Sequence, residues 1–220
     1  MTIRALSPRF FSLLAHDLRS PLNVVSSALT ELAREPNALP ADERALMFTL
    51  SQRAISRLVG LTQRLSLAAK IETDDLDFQP TVVDLGAVVK ETLATFTATE
   101  LRKRVEATCT VPDAPVRVNG DVTLLKALLR ELLANANQHA RRKLRVEVTG
   151  GIVSIDDDGD GIREEERPLM FEPFVERANR TGLGFGLWLA RTLAQKHEGS
   201  LTVEQLPSGT RQSLTLPVLP

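Results

Sequence analysis

The chain has 220 residues, 43% of them hydrophobic and 25% charged, with a formal net charge of −1. That length sets one or two domains, and the near-neutral balance excludes a non-specific nucleic-acid or membrane-surface binder. The single cysteine, Cys109, excludes an intrachain disulfide and suits a reducing cytoplasm.

Residues 8–34 read as a first helix, because Phe11, Leu14, Leu18, Leu22, Val25, Leu29 and Leu32 recur at helical spacing on one stripe. Within it stands His16-Asp17-Leu18-Arg19-Ser20-Pro21-Leu22. Pro21 removes a backbone bond to the Asp17 carbonyl and costs roughly 3 kcal/mol in a helix interior. The early apolar runs are too short to span a bilayer, and no signal-peptide core opens the chain. The expectation is a chain without membrane insertion, whose sensor is a separate molecule.

Glu35-Pro36-Asn37-Ala38-Leu39-Pro40 breaks the first helix. Asp42 is expected to cap a second helix reaching about Lys70, with Ala45, Phe48, Ile55, Leu58, Leu65 and Ala68 as apolar positions. Two long helices on a short connection predict an antiparallel hairpin over residues 1–70. One hairpin cannot bury two apolar stripes well, so a homodimeric four-helix bundle is expected.

The acidic stretch within 71–80 reads as a linker, and residues 81–220 change to mixed strands and helices. Strand-like runs are 81–84, 105–111, 116–118, 144–149, 152–155, 200–204 and 211–216; helix-like runs are 85–96, 122–140 and 185–197. Cys109, in the alternating run 105–111, is expected in the core. Gly150-Gly151 predicts a hairpin turn. The interleaving predicts an α/β domain, a sheet with helices on one face.

Four constellations carry chemistry. A neutral imidazole such as His16 is a nucleophile, and a carboxylate on one ring nitrogen makes the other more basic. Asp17 supplies a carboxylate, although helix neighbours do not face each other and spacing favours Ser20, four residues on. Without the other motifs, a surface histidine is the simpler account. Glu131 and Asn135 share a helix face, and an amide oxygen beside a carboxylate can hold magnesium; a solvated polar stripe has the same spacing.

Asp156-Asp157-Asp158-Gly159-Asp160-Gly161-Ile162 follows a strand. Asp156, Asp158, Asp160 and Gly161 match a calcium loop, but its bidentate Glu position is Arg167 and the flanking pattern is a strand. The other reading is a turn whose glycines admit a ligand to the backbone beside a carboxylate. Gly182-Leu183-Gly184-Phe185-Gly186-Leu187 opens a helix, which suits phosphate, and lacks both dinucleotide-fold and P-loop spacing.

In this order, the motifs resemble the transmitter core of a two-component sensor histidine kinase over nearly the whole chain. The segment 16–22 resembles the H-box, Asn135 the magnesium-binding Asn of the N-box, and Asp157, Gly159 and Gly161 the G1 box. Phe171-Glu172-Pro173-Phe174 resembles the F-box, 182–187 the G2 box, and His197-Glu198-Gly199 the usual ending.

The resemblance implies an α + α/β chain, a dimerisation and phosphoacceptor hairpin followed by an ATP-binding α/β sandwich of the Bergerat type shared with gyrase, Hsp90 and MutL. It implies ATP and Mg2+ as cofactors and a response regulator receiver domain as partner. His16, Asp17 and Ser20 become the catalytic set. Asn135 and Glu131 become the metal positions. Asn135, Gln138, His139, Asp157, Gly159, Gly161, Ile162, Phe171, Phe174, Gly182, Leu183, Gly184, Gly186 and Leu187 become the nucleotide site.

Departures accompany it. Glu131 replaces an Asn, and Gln138-His139 replaces the usual Lys-Tyr. Arg141, Arg142, Arg177 or Arg180 is the candidate substitute for the missing lysine, each also readable as a solvated charge. The lid between Phe174 and Gly182 is short, and Ser20 stands where Thr or Asn supports phosphatase activity. The rival readings are a non-catalytic phosphotransfer scaffold with a degenerate ATP site and an anti-sigma-type serine kinase, a family without the H-box hairpin.

Overall fold

The computed structural model describes residues 8–34, 39–173 and 184–220. Two compact units meet in sequence between Asp77 and Phe78.

The first unit is a helical hairpin of α1 (Pro8–Arg34) and α2 (Ala41–Glu72). Its buried seam is made of small or compact residues, Pro21, Ala28, Ala54, Gly60, Leu61 and Ala68. Small side chains let the two backbones approach closely, and α1 runs through Pro21 as one helix. Much of the apolar stripe stays uncovered: Phe11, Leu22, Leu29, Phe48 and Ile55 are all exposed.

Asp42 does not cap α2. The cap position is Pro40, at φ −54° and ψ 150° and without a side-chain bond, and Asp42 falls in the first turn beside Glu43. There its charge still favours the helix N-terminus through the dipole. The residues 35–38 of the expected breaker lie outside the described part.

The second unit begins with β1 (Thr81–Asp84) and α3 (Leu85–Thr99), followed by β2 (Glu106–Thr110), β3 (Arg117–Gly120) and α4 (Val122–His139). Then come β4 (Lys143–Thr149), β5 (Ile152–Asp157), a 3-10 segment Glu164–Leu169, α5 (Gly186–Lys196), β6 (Ser200–Gln205) and β7 (Thr210–Thr215). β1 and β3 pair as a small antiparallel sheet. The main sheet has the order β2-β4-β5-β7-β6, antiparallel throughout except for the parallel β2–β4 pair.

Period-two burial sets the two faces of the sheet. Leu144, Val146, Val148, Val153, Ile155 and Leu214 are buried, while their neighbours Arg145, Glu147, Ser154 and Ser213 turn to the other side. Such alternation belongs to a sheet covered on one face and wet on the other. The cover includes α4 and α5. Leu125, Leu128, Leu129 and Leu132 of α4 follow i, i+3, i+4, i+7 spacing, and each is at most 1% exposed. Each is worth about 1.5–3 kcal/mol of burial, so this face fixes the rotation of α4.

Among the described residues, side-chain caps start α3 and α4. Asp84 accepts from Gly86 N–H at 3.0 Å, and Asp121 accepts from Thr123 and Leu124 N–H at 2.9 and 3.1 Å. Asp121 also accepts from Gln79 N–H at 3.1 Å, and the Phe78 ring meets His197 edge-on at 5.0 Å. His197 is tied at both nitrogens, Nδ1 donating to the Leu193 carbonyl and Nε2 accepting from Asp121 N–H.

Cys109 is not a core residue; it is exposed. It lies on β2, an edge strand of the main sheet, which places four of its five residues at the surface. Alternation in an edge strand does not guarantee cover.

Candidate functional site

The two candidate regions lie in different units. In α1, His16 has a side chain 78% exposed, and its Nδ1 stands 3.4 Å from Asp17 Oδ1, a long hydrogen bond. Asp17 is only 13% exposed, so the carboxylate is packed while the ring is in solvent. The expectation that spacing favours Ser20 over Asp17 is corrected here. Adjacent Cβ atoms diverge, but the short carboxylate reaches back to the ring. Ser20 is exposed.

In the second unit, the buried leucine face of α4 sets the polar stripe beside it. Glu131, Asn135 and His139 follow at i, i+4 and i+8; Glu131 is buried, Asn135 and His139 are half-buried, and Gln138 is exposed. Asn135 Nδ2 donates to Gln212 Oε1 at 3.0 Å, and Gln212 Nε2 donates to the Leu132 carbonyl at 3.1 Å. Glu131 Oε2 lies at the start of α5, 2.8 Å from where a Cβ on Gly186 would stand. The N-terminal dipole favours a carboxylate there.

The turn after β5 is packed against the end of α4. Asp157 is 3% exposed, and its Oδ1 accepts from Gly159 N–H at 2.9 Å. A Cβ on Gly159 would come within 2.5 Å of the His139 carbonyl and 2.7 Å of Asp157 Oδ1, so only glycine fits. Gly161 has φ +79°, and a Cβ there would overlap the Gln205 amide. Gln205 holds the turn, accepting from Ile162 N–H at 2.6 Å and donating to the Leu206 and Gly209 carbonyls.

The three other aspartates of the turn diverge. Asp156 makes a bidentate pair with Arg211 at 2.7 Å, and Asp160 pairs with Arg141. Asp158 accepts backbone N–H bonds from Arg141, Arg142 and Lys143 at 2.9, 2.9 and 3.0 Å. Desolvation pushes the Asp158 carboxyl up, but the N–H bonds from Lys143, Arg142 and Arg141 outweigh it and hold the group below its ordinary value. Side chains committed to three separate partners do not converge on one ion, which removes the calcium-loop reading. Arg141 is likewise committed, to Asp160. Arg177 and Arg180 lie outside the described residues.

Phe171 is half-buried, with the Arg191 guanidinium 5.0 Å above its ring. At the start of α5, Leu187 is buried and Gly184, at φ +69°, is exposed. Phe174, Gly182 and Leu183, with the short lid, lie outside the described residues. Thus hydrogen bonds join α4 to Gln212 of β7 and tie the β5 turn to residues 141–143 just after α4, while His16, Asp17 and Ser20 belong to the other unit. Sequence reasoning missed Gln205 and Gln212. Gln212 carried a signal: it is polar at an inward position of the alternating run that contains Leu214.

The turn and α4 fit a magnesium nucleotide. Gly159 and Gly161 keep a cradle that a Cβ would fill, Asp157 offers a buried carboxylate, and Asn135 offers an amide oxygen. Among the described residues no helix is long and apolar enough to cross a membrane.

Two family models match the chain. His Kinase A (phospho-acceptor) domain covers residues 8–74, and Histidine kinase-, DNA gyrase B-, and HSP90-like ATPase covers residues 120–220. The sensor histidine kinase TrcS of Mycobacterium tuberculosis is 32% identical over 96% of this chain and 44% of its own length. Across curated relatives, the chain spans from 19% to 67% of their length. Among solved structures, Acinetobacter baumannii histidine kinase AdeS superposes with a TM-score of 0.66 at 21% identity, covering 93% of this chain and 98% of that one. Full-length ShkA, solved in complex with AMPPNP, gives 0.64 at 22% identity, covering 96% of this chain and 46% of that one. With a phosphoacceptor domain on the hairpin and a nucleotide-binding ATPase domain after it, the chain belongs to the histidine kinases of two-component signalling.

Proposed function

We propose that this chain is an ATP- and Mg2+-dependent protein-histidine kinase that phosphorylates its own His16 and hands the phosphoryl group to an aspartate of a response regulator receiver domain. The observation that carries the reading is His16 itself, a solvent-exposed imidazole with Nδ1 against a packed carboxylate. Asp17 holds the ring with Nε2 as the nucleophile and stabilises the charge it gains. An N–P bond forms at Nε2, the bond from the γ-phosphorus to the bridging oxygen breaks, and ADP leaves.

Asp157 would accept from the adenine amino group, and Gly159, Gly161, Ile162, Phe171 and Leu187 would line the nucleotide. Asn135 would offer its amide oxygen to Mg2+, with Glu131 nearby. When bound, the ion neutralises phosphate charge, and the rest of catalysis is positioning. The likeness to a kinase solved with AMPPNP supports a nucleotide at this site.

The exposed Phe11, Leu22, Leu29, Phe48 and Ile55 support a homodimer that closes a four-helix bundle. The reading includes a cytoplasmic location, an upstream sensor on a separate molecule, and 71–80 as the hinge between a 1–70 phosphoacceptor domain and an 81–220 catalytic domain.

Incubation with γ-labelled ATP, Mg2+ and a candidate receiver domain tests the proposal. Label on the chain that chases to the receiver supports it; a chain that stays unlabelled refutes it. The scaffold alternative is favoured by one feature, the commitment of Arg141 to Asp160. It predicts no ATP binding even at millimolar nucleotide.

A further inference from the structure

We propose that Gln212 is a positioning residue for magnesium: it fixes which atom of the Asn135 amide is presented to the ion. The inference rests on the kinase reading and extends it to a residue on β7, across the core from α4.

The polarity follows from one backbone carbonyl. The Leu132 carbonyl can only accept, and Gln212 Nε2 lies 3.1 Å from it. The amide end facing Leu132 is therefore the NH2 group, and the other end of Gln212 is its oxygen. That oxygen accepts, so Asn135 must meet it with Nδ2, as it does at 3.0 Å. The remaining polar atom of Asn135 is Oδ1. A hard cation takes oxygen ligands and rejects an amide NH2, so this orientation is the one a magnesium site needs.

Reversing Asn135 would require Gln212 to reverse as well. Two acceptors, Gln212 Oε1 and the Leu132 carbonyl, would then face each other with no proton between them. Gln212 is 0% exposed, so water cannot relieve the conflict. Helix α4 thus sets the polarity of Gln212, and Gln212 sets that of Asn135. Partners of a ligating group commonly change metal affinity 10- to 100-fold when removed.

The test is nucleotide binding, followed with a fluorescent ATP analogue while Mg2+ is titrated. Gln212→Met keeps the volume and removes both hydrogen bonds. The proposal expects the half-saturating Mg2+ concentration to rise about tenfold, with affinity for nucleotide in EDTA unchanged. Asn135→Asp carries oxygen at both ends, so in that background Gln212→Met should no longer raise the Mg2+ requirement. An unchanged Mg2+ requirement in Gln212→Met, or an equal loss with and without Mg2+, overturns the proposal and leaves Gln212 a packing residue.

Should Gln212→Met fail to fold, the wild-type chain decides. Slow solvent exchange of the Asn135 side-chain NH2 protons without nucleotide supports the lock, and exchange as fast as in a free amide overturns it. A wild-type chain that binds no nucleotide under any condition refutes the kinase reading itself and takes this proposal with it.

Discussion

Replacing Asp157 with Asn separates recognition of the base from folding of the turn. Asp157 is 3% exposed, and one carboxylate oxygen already accepts from Gly159 N–H at 2.9 Å. An Asn side chain keeps that bond through its single oxygen. Its other end becomes an NH2 group, which in the proposed complex faces the adenine amino group, donor against donor. The loss is one charge-assisted hydrogen bond, about 1.5–3 kcal/mol. At about 1.4 kcal/mol per decade, ATP affinity should fall roughly 10- to 100-fold. The 6-oxo group of guanine accepts, so GTP should bind Asp157→Asn no worse than it binds wild type. Calorimetry at fixed Mg2+, with thermal melting as the folding control, reads both numbers. An Asp157→Asn chain that melts like wild type and binds ATP within about twofold (under about 0.5 kcal/mol) would refute the assignment.

Three further outcomes follow from the same geometry. Gly161→Ala must hold a Cβ at φ +79° and displace the Gln205 amide, so urea denaturation should show a loss of at least about 2 kcal/mol; a loss under ~1 kcal/mol contradicts the account. Asp158→Ala strips the acceptor from three backbone N–H groups in a partly wet site, costing about 1 kcal/mol after solvent screening. Because the folded Asp158 carboxyl titrates below its unfolded value, its stabilisation is complete above about pH 4 and is lost as pH falls through the lower folded value. The gap between wild type and Asp158→Ala should therefore close in acid, and a gap that widens would reverse the sign. Ile55→Glu places a charge on the uncovered face of α2, where Ile55 is 48% exposed, and light scattering should report a shift from dimer to monomer. An unchanged mass contradicts that interface.

Regular elements were legible where a single periodicity governed them. The first helix, the strand 81–84 and the Gly150-Gly151 hairpin appear with the expected residues. Helix α3 continues to Thr99, past the expected end at 96, and its threonines fold their hydroxyls onto helix carbonyls, Thr97 to Ala94 and Thr99 to Thr95.

What stayed hidden depends on partners far away in sequence. Cys109 alternates like a core residue, but the strand that carries it is at one edge of the sheet, and edge status is set by topology. The Asn135 amide is bonded to Gln212, 77 residues away, and the turn at Gly161 is held by Gln205. The contact of His16 with Asp17 shows a different limit. Helical spacing tracks Cβ directions, whereas a long ring and a short carboxylate close the remaining distance through their own torsions.

The central claim is that His16 is the phosphoacceptor, and locating the phosphoryl group tests it most directly. After incubation with Mg2+ and γ-labelled ATP, the chain is digested at alkaline pH, which preserves phosphohistidine, and the labelled peptide is mapped by mass spectrometry. The account predicts an acid-labile label on the peptide carrying His16 and none in His16→Gln, with ATP binding intact in both. Label on any other residue, or label that persists in His16→Gln, would contradict it.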